Sequence, residues 1–161
     1  MKNNTKGQEY WAFFNPPFMA FNIHAMVAGF CKNDIAAPYS VIFPGLALAL
    51  HKETRLVLPK SANARFQNWV QENEEILIEL PDRVRALRNP VRQGLTFGYS
   101  HGILSFSDQG SCTPNRLPRG SNSVKELQEV RECLNASTLI GKLFGKAGDD
   151  KLIFYLLGIK P

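Results

Sequence analysis

Residues 81–110 read PDRVRALRNPVRQGLTFGYSHGILSFSDQG and carry a dense set of structural signals. Pro81 favours the start of a short helix, because proline fits the first turn, where no backbone N–H is needed. Asn89-Pro90 predicts a further helix start, since asparagine is a good N-cap and proline suits the first helical position. This part of the chain therefore predicts two short helices in succession, the second ending near Gly102.

A β-hairpin is expected directly after these helices. Residues 103–107 form a short apolar run, residues 108–110 (Asp-Gln-Gly) have turn composition, and a second extended run continues toward Leu117. Two short strands separated by a few residues that include glycine are typical of a hairpin.

The segment upstream of residue 81 completes a recognisable order of elements. Apolar and aromatic residues recur at helical spacing through residues 66–77, which predicts an amphipathic helix. Residues 55–59 (Arg-Leu-Val-Leu-Pro) favour a short extended segment. Three helices over residues 64–100 followed by a hairpin is the order of a winged helix-turn-helix, so we expect a winged-helix-like part at about 55–118. The predicted fold class is mainly α (α+β), with a β-hairpin wing and flanking helices at both ends.

The N-terminal flank contains two predicted helices. Asn15-Pro16 repeats the cap-plus-proline signal and opens a helix that reaches Lys32. This helix is apolar nearly all round, which is typical of a central element. Ser40 is the expected cap of a second helix that reaches His51.

The C-terminal flank contains two more helices over residues 123–157. Ser123-x-x-Glu126 is a capping box and predicts the start of a long helix that Gly148 ends. Asp149 and the acid after it favour the N-terminus of a last helix.

Composition indicates one folded domain over residues 1–161, with residues 1–9 disordered. The chain has 161 residues and a mass of 18.1 kDa, of which 44% are hydrophobic and 20% charged. Residues 10–31 lack Asp, Glu, Lys and Arg, but an early Asn-Pro-Pro break and polar residues favour a buried core helix over a membrane span. Three cysteines without a short spacing favour a reduced, cytoplasmic protein.

Positive charge is concentrated in the second half. Residues 1–80 hold seven Lys and Arg against seven Asp and Glu, whereas residues 81–161 hold twelve against seven. Arginine binds phosphate or carboxylate with two parallel hydrogen bonds, which lysine cannot do. The six residues of this cluster are all arginine: Arg83, Arg85, Arg88, Arg92, Arg116 and Arg119.

Two interpretations of the arginines stay open. They could form a basic surface that meets a nucleic-acid backbone or an acidic partner. They could equally belong to a solvated helix face balanced by the glutamates of residues 72–79.

No constellation of reactive groups is evident. His24 and Cys31 share a helical face, but on an apolar helix a packed cysteine and a hydrogen-bonded histidine fit better than half a metal site. Cys112 is expected to lie in a loop and to be inert. Phosphate-binding loops and nucleophile elbows are absent from the sequence. We therefore expect a non-enzymatic protein without metal, cofactor or small-molecule substrate.

Two apolar features admit either an internal or an external partner. Ser137, Gly141 and Gly145 recur every four residues and favour close approach of another helix. Residues 152–157 (LIFYLL) must be covered, either by the protein's own core or by another protein.

Several short motifs occur in a characteristic order. They are Asn15-Pro16, His51-Lys52-x-Thr54-Arg55-x-x-Leu58-Pro59, the Trp69-bearing helix, Val91-Arg92-Gln93-Gly94-Leu95-x-Phe97, Gly102-x-Leu104, Ala147-Gly148-Asp149 and Leu156-Leu157-Gly158-Ile159-Lys160-Pro161. With this order the chain resembles the middle component of bacterial three-component ABC systems, from about residue 15 to residue 161. The His-Lys-x-Thr-Arg segment and the Leu-Leu-Gly-Ile-Lys-Pro ending are the more specific parts.

The resemblance implies a protein encoded beside an ABC ATPase of the SMC/Rad50 type and a variable third component. Such systems are thought to act in conflict with phages or plasmids. The middle component is taken to couple the ATPase to the third component without catalysis of its own. The expected partners are therefore these two proteins.

Two hypotheses remain open at this point. The preferred one is an adaptor, and the alternative is a free-standing winged-helix DNA-binding protein or regulator that contacts DNA through the arginine-rich wing. The adaptor is preferred because residues 91–100 contain only Arg92 as a basic residue and no Lys or Asn to read bases. Candidate contacts to a partner or to nucleic acid are Arg55, Arg83, Arg85, Arg88, Arg92, Arg116, Arg119 and Lys160.

Overall fold

A computed structural model of the chain describes residues 15–117 and 128–160. Its elements, in chain order, are α1 (Pro16–Phe30), a 3-10 turn (Cys31–Asn33), β1 (Ala37–Pro38), α2 (Tyr39–Ala49), α3 (Lys52–Val57), α4 (Phe66–Glu72), α5 (Glu74–Leu77), α6 (Leu80–Ser100), β2 (Leu104–Phe106), β3 (Ser111–Pro114), α7 (Gln128–Ala147) and α8 (Asp150–Leu157). The strands form one antiparallel sheet in the order β1-β3-β2. The expected mainly α (α+β) fold class is confirmed.

Helix α1 lies at the centre of the fold, as its uniformly apolar sequence predicts. The Asn15 side chain accepts a hydrogen bond from the N–H of Phe18 at 2.9 Å, which confirms the N-cap. The helix packs against α7 and α6 and to a lesser extent against α2. Met19, Ile23 and Phe30 are fully buried along it.

Small residues let α1 and α7 approach backbone to backbone. A Cβ atom added at Gly29, Gly141 or Gly145 would collide with backbone atoms of the opposite helix. The Ser137 hydroxyl donates to the Asn22 side-chain oxygen at 2.9 Å, and both residues are fully buried. The small-residue stripe is therefore explained by a contact inside this chain.

Helix α6 is one continuous helix, so the prediction of two short helices between Pro81 and Gly102 was wrong. Pro90 lies inside it. The buried positions Leu80, Leu87 and Leu95 keep helical spacing on both sides of Pro90, so one apolar face continues across the proline. Burial of that face outweighs the roughly 3 kcal/mol that an internal proline costs a helix.

The prediction of an extended segment at residues 55–59 was also wrong for its first half. Residues 52–57 form α3, and His51 is its N-cap residue. The ring nitrogen Nδ1 of His51 accepts the N–H of Thr54 at 3.3 Å and thereby acts as N-cap. The β-branched and leucine-rich composition of this segment favoured a strand, but this cap fixes the first turn of a helix.

Helix α2 begins before the predicted cap. Its N-cap position is Pro38, and Ser40 lies inside the first turn. The Ser40 hydroxyl instead donates to a carboxylate oxygen of Asp150 at 3.3 Å, which connects α2 to the start of α8.

The predicted hairpin is confirmed as β2 and β3, and a third strand joins it. Ala37 in β1 pairs with Cys112 in β3, which places Cys112 in a buried strand and corrects its predicted position in a loop. Because β1 comes from residues 37–38, the sheet extends beyond the segment 55–118 to which the winged-helix-like part was assigned. The N–H of Tyr39 donates to the carbonyl of Gly110 at 2.8 Å, so the start of α2 is fixed to the hairpin turn.

The C-terminal helices end as predicted. Gly148 follows α7 with a φ of 73°, a left-handed conformation that favours glycine, and the Asp149 side chain caps α8 by accepting the N–H of Lys151 at 3.0 Å. Within residues 152–157, Ile153, Phe154 and Leu157 are buried in the protein's own core. The predicted capping box at residues 123–126 lies outside the described residues.

Candidate partner-binding surface

Arg55 points into the protein. Its guanidinium donates to the carbonyls of Ala49 (3.3 Å) and Leu50 (2.8 Å) at the end of α2 and lies 3.6 Å from the carboxylate of Glu129. Its side chain is 9% exposed. Carbonyls at a helix C-terminus lack partners within the helix, so Arg55 satisfies them and joins α2, α3 and α7.

Arg83 is also occupied by internal contacts. One guanidinium nitrogen donates to the Thr54 hydroxyl at 3.1 Å and the other to the carbonyl of Ile76 at 2.6 Å. The same hydroxyl lies 2.9 Å from Nδ1 of His51. Burial, assisted by the charge of Arg83, lowers the pKa of His51, and burial lowers the pKa of Arg83. The His-Lys-x-Thr-Arg motif therefore builds the junction of α3 with α2 and α6.

Three of the predicted arginines share the outer face of α6. Arg85, Arg88 and Arg92 are exposed and spaced three and four residues apart, which places them on one side of the helix. Arg85 pairs with Asp82 at 2.6 Å. Neither Arg88 nor Arg92 has a carboxylate of the described part of the chain within 4.0 Å. We call Arg85, Arg88 and Arg92 the arginine face.

The remaining candidates are not brought to the arginine face by any contact that the structure gives. Arg116, which follows β3, and Lys160, after α8, are both exposed. Arg119 lies outside the described residues.

A groove of about 670 Å³ runs between the C-terminal half of α6 and the hairpin. We call it the aromatic groove. Its lining residues are Tyr39, Arg92, Leu95, Thr96, Tyr99, Phe106, Ser107 and Asp108. Arg92 belongs to both features, so the groove opens beside the arginine face.

Aromatic rings dominate the rim of the groove. Tyr99 is 65% exposed and Phe106 is 36% exposed, with ring centroids 6.0 Å apart. Tyr39 is 38% exposed and packs edge-on against Phe43 with centroids 5.1 Å apart. Large aromatic side chains left in water beside an arginine are typical of binding surfaces.

The aromatic residues of the groove were not predicted from the sequence. Tyr39 in α2, Tyr99 in α6 and Phe106 in β2 come from three separate elements, and the tertiary fold brings them together. One local signal was available: Phe106 shares a strand face with buried Leu104 but lies toward the hairpin turn, where the core ends.

The histidine and cysteine side chains expected to be structural are engaged internally. Nε2 of His24 lies 2.8 Å from the carbonyl of Asn115, and burial lowers the pKa of His24. Burial raises the pKa of the Cys112 thiol to about 12. Residues 15–117 and 128–160 contain no group of three or more His, Cys, Asp or Glu side chains that could hold a metal ion.

Of the helices that the structure describes, none combines the length and the apolar composition needed to cross a bilayer.

Fold and surface together define a small α-rich protein with an exposed basic and aromatic face. The family described as ABC-three component (ABC-3C) system Middle Component 3 matches residues 3–161, and the chain belongs to this family. The resemblance inferred from the motif order is thereby confirmed. No curated protein and no solved structure gave a significant match to the chain.

Proposed function

We propose that this middle component is a non-catalytic adaptor that acts in the cytoplasm. It connects an SMC/Rad50-like ABC ATPase with the variable third component of its system, in defence against phages or plasmids. The observation that carries the proposal is the family match, which spans residues 3–161 and so covers nearly the whole chain.

The described surface supports an adaptor because it exposes arginine side chains that have no acidic partner within the described chain. The arginine face offers two guanidinium groups, Arg88 and Arg92, that are exposed and have no carboxylate from the described chain within 4.0 Å. By contrast, Arg55 and Arg83 hold helices of this chain together and are removed from the proposed interface. Arg116 and Lys160 remain candidates for a second contact because both are exposed.

The contacts and pKa shifts of the histidine and cysteine side chains support a non-catalytic role. His24 and His51 make contacts within the fold, and burial lowers the pKa of both. A thiol with a pKa of about 12, as at Cys112, is almost entirely protonated at neutral pH and is a poor nucleophile.

The test is co-expression of the chain with the products of its neighbouring genes, followed by affinity capture and native mass measurement. We expect one assembly that contains the chain, the ABC ATPase and the third component. An unrelated ABC ATPase serves as the control and is expected to stay unbound. Capture of neither neighbouring protein would refute the proposal.

One observation favours the alternative of a winged-helix DNA-binding protein. The order α1-β1-α2, then α6-β2-β3, with the sheet in the order β1-β3-β2, is compatible with a winged helix, in which α6 would be the recognition helix. Residues 50–79, including α3 to α5, would then be an insertion.

The alternative predicts binding of duplex DNA that weakens steeply with salt, because phosphate contacts release counterions. Titration of a labelled duplex at two salt concentrations tests this expectation. Tight binding with a steep salt dependence, without capture of a neighbouring protein, would favour the alternative over the adaptor.

A further inference from the structure

We infer that the aromatic groove binds a segment of a partner polypeptide in which an aromatic or large aliphatic side chain lies next to an acidic residue. The inference rests on the proposed adaptor function and specifies the chemistry of one of its contacts. It combines three observations: an apolar site, a cation beside it and a carboxylate opposite.

The apolar part of the site lies between α6 and the hairpin. Leu95 is 5% exposed, whereas Tyr99 at the rim is largely exposed and Phe106 is about one third exposed. A side chain packed against these two rings would cover apolar surface that the chain itself leaves exposed. Tight contacts of this kind usually centre on an aromatic or aliphatic anchor in a pocket.

The cationic part is formed by Arg92, with Arg88 one turn away on the same helix face. A carboxylate next to the anchor residue could form paired hydrogen bonds with either guanidinium. Charge complementarity therefore selects an acidic segment at this end of the groove.

The opposite wall distinguishes a polypeptide from nucleic acid. Asp108, in the hairpin turn, lines the same groove as Arg92. A nucleic-acid backbone presents one negative charge per about 1.7 Å of duplex axis, so a duplex in the groove would place phosphates near this carboxylate. A polypeptide can instead present backbone N–H groups or a basic side chain to Asp108.

The groove is held in place by main-chain hydrogen bonds. The N–H of Tyr39 donates to Gly110 at 2.8 Å, and the N–H of Ser107 donates to Ser111 at 2.9 Å across the turn. The first bond joins the hairpin to the start of α2, and the second closes the hairpin turn itself, so this side of the site needs little ordering on binding, which favours affinity.

Two groove variants and two matched controls test the inference with the assembly obtained by co-expression. Tyr99→Ala and Arg92→Glu alter the groove, and both side chains are exposed, so the fold is expected to be unaffected. Tyr155→Ala removes a tyrosine that is 82% exposed on α8, and Arg131→Glu reverses an exposed arginine on α7 outside the groove.

The affinity of each purified variant for the captured partner is then measured. We expect each groove variant to raise Kd at least tenfold, and each control to change it less than twofold. Unchanged thermal unfolding temperatures verify that the variants are folded. Groove variants that bind as the unmodified chain does would overturn the inference while leaving the adaptor function intact.

A second measurement does not require the natural partner. A library of random 12-residue peptides is selected on the purified chain and counter-selected on Arg92→Glu. We expect enrichment of peptides with an aromatic or aliphatic residue beside Asp or Glu. Enriched basic peptides, or no enrichment, would overturn the inference, whereas the expected peptides without capture of a neighbouring protein would refute only the adaptor.

A labelled 20-base-pair duplex provides the last comparison. If Arg92→Glu abolishes duplex binding and leaves partner capture unchanged, the groove is a nucleic-acid site and the inference is wrong.

Discussion

Gly141→Ala is expected to destabilise the protein although alanine is the better helix former. An alanine Cβ at this position would overlap the backbone carbonyl of Met26 and approach the backbone N of Phe30. Backbone atoms cannot turn aside as a flexible side chain can, so α1 and α7 would have to separate by roughly 1.5 Å to restore normal contact distances. The backbone contacts at Gly29 and Gly145 are nearly as close, so the same helix pair has no free space nearby to accommodate the added methyl group.

The size of the effect follows from two opposing contributions. Overpacking a well-packed core costs typically 1–3 kcal/mol, and the upper end applies because the obstructing atoms are backbone. Alanine recovers about 1 kcal/mol of helix propensity relative to glycine. The expected net loss is about 2 kcal/mol in the free energy of unfolding. For a chain of 161 residues this corresponds to a fall in Tm of about 6 °C.

Urea unfolding monitored by circular dichroism measures this change directly. Lys142→Ala, at the next position of the same helix, is the control, and its stability is expected to stay within about 0.5 kcal/mol. Equal or higher stability of Gly141→Ala would refute the backbone-to-backbone packing of α1 and α7. A loss in Lys142→Ala as large as in Gly141→Ala would show that the effect is not specific to the contact.

Three further outcomes test the interior contacts. Arg55→Met removes charge-assisted hydrogen bonds to the end of α2 and should lower the free energy of unfolding, measured in urea, by about 2 kcal/mol. Arg88→Met should change it by no more than about 0.5 kcal/mol. Equal losses would refute the inward position of Arg55. Because burial lowers the pKa of His24 and of His51, both are favoured neutral in the folded state, so stability should be constant above their unfolded pKa of about 6.5 and fall as pH drops below it. His51→Asn, which keeps a side-chain cap but removes the titrating group, should show a smaller loss of stability between pH 8 and pH 5, and an unchanged pH profile would contradict the lowered pKa of His51. The pKa of the Cys112 thiol is raised to about 12, so only about one Cys112 thiol in ten thousand is ionised at pH 8 in the folded protein. This thiol should therefore react with a thiol reagent at pH 8 only after unfolding. Fast reaction in the folded protein would contradict its burial.

Local signals in the sequence predicted several element boundaries correctly. The Asn15 cap, the hairpin turn, the Gly148 stop and the Asp149 cap each depend on a few neighbouring residues, so one sequence is enough to find them. The helix boundary predicted at Pro90 was wrong because this local signal was outweighed by an apolar face that is recognisable only over the whole helix. The strand β1 was missed because a strand of two residues has no periodicity to detect.

The candidate surface was predictable only in part. The cluster of arginines was evident, but no sequence signal separates Arg83, which donates to Ile76 and Thr54, from Arg85, which faces solvent. Arg55 likewise acts on carbonyls five and six residues before it. Side-chain direction depends on which helix ends lie nearby, and that is a property of tertiary packing.

The close contact of α1 with α7 has a mechanical consequence. Helices α1 and α7 are in backbone contact at glycine and are joined by the buried Asn22–Ser137 hydrogen bond. They therefore form a rigid pair whose members cannot easily move relative to each other. Helix α6 packs on this pair. A force applied at the groove by a bound partner would therefore displace the molecule as a whole, with little internal deformation.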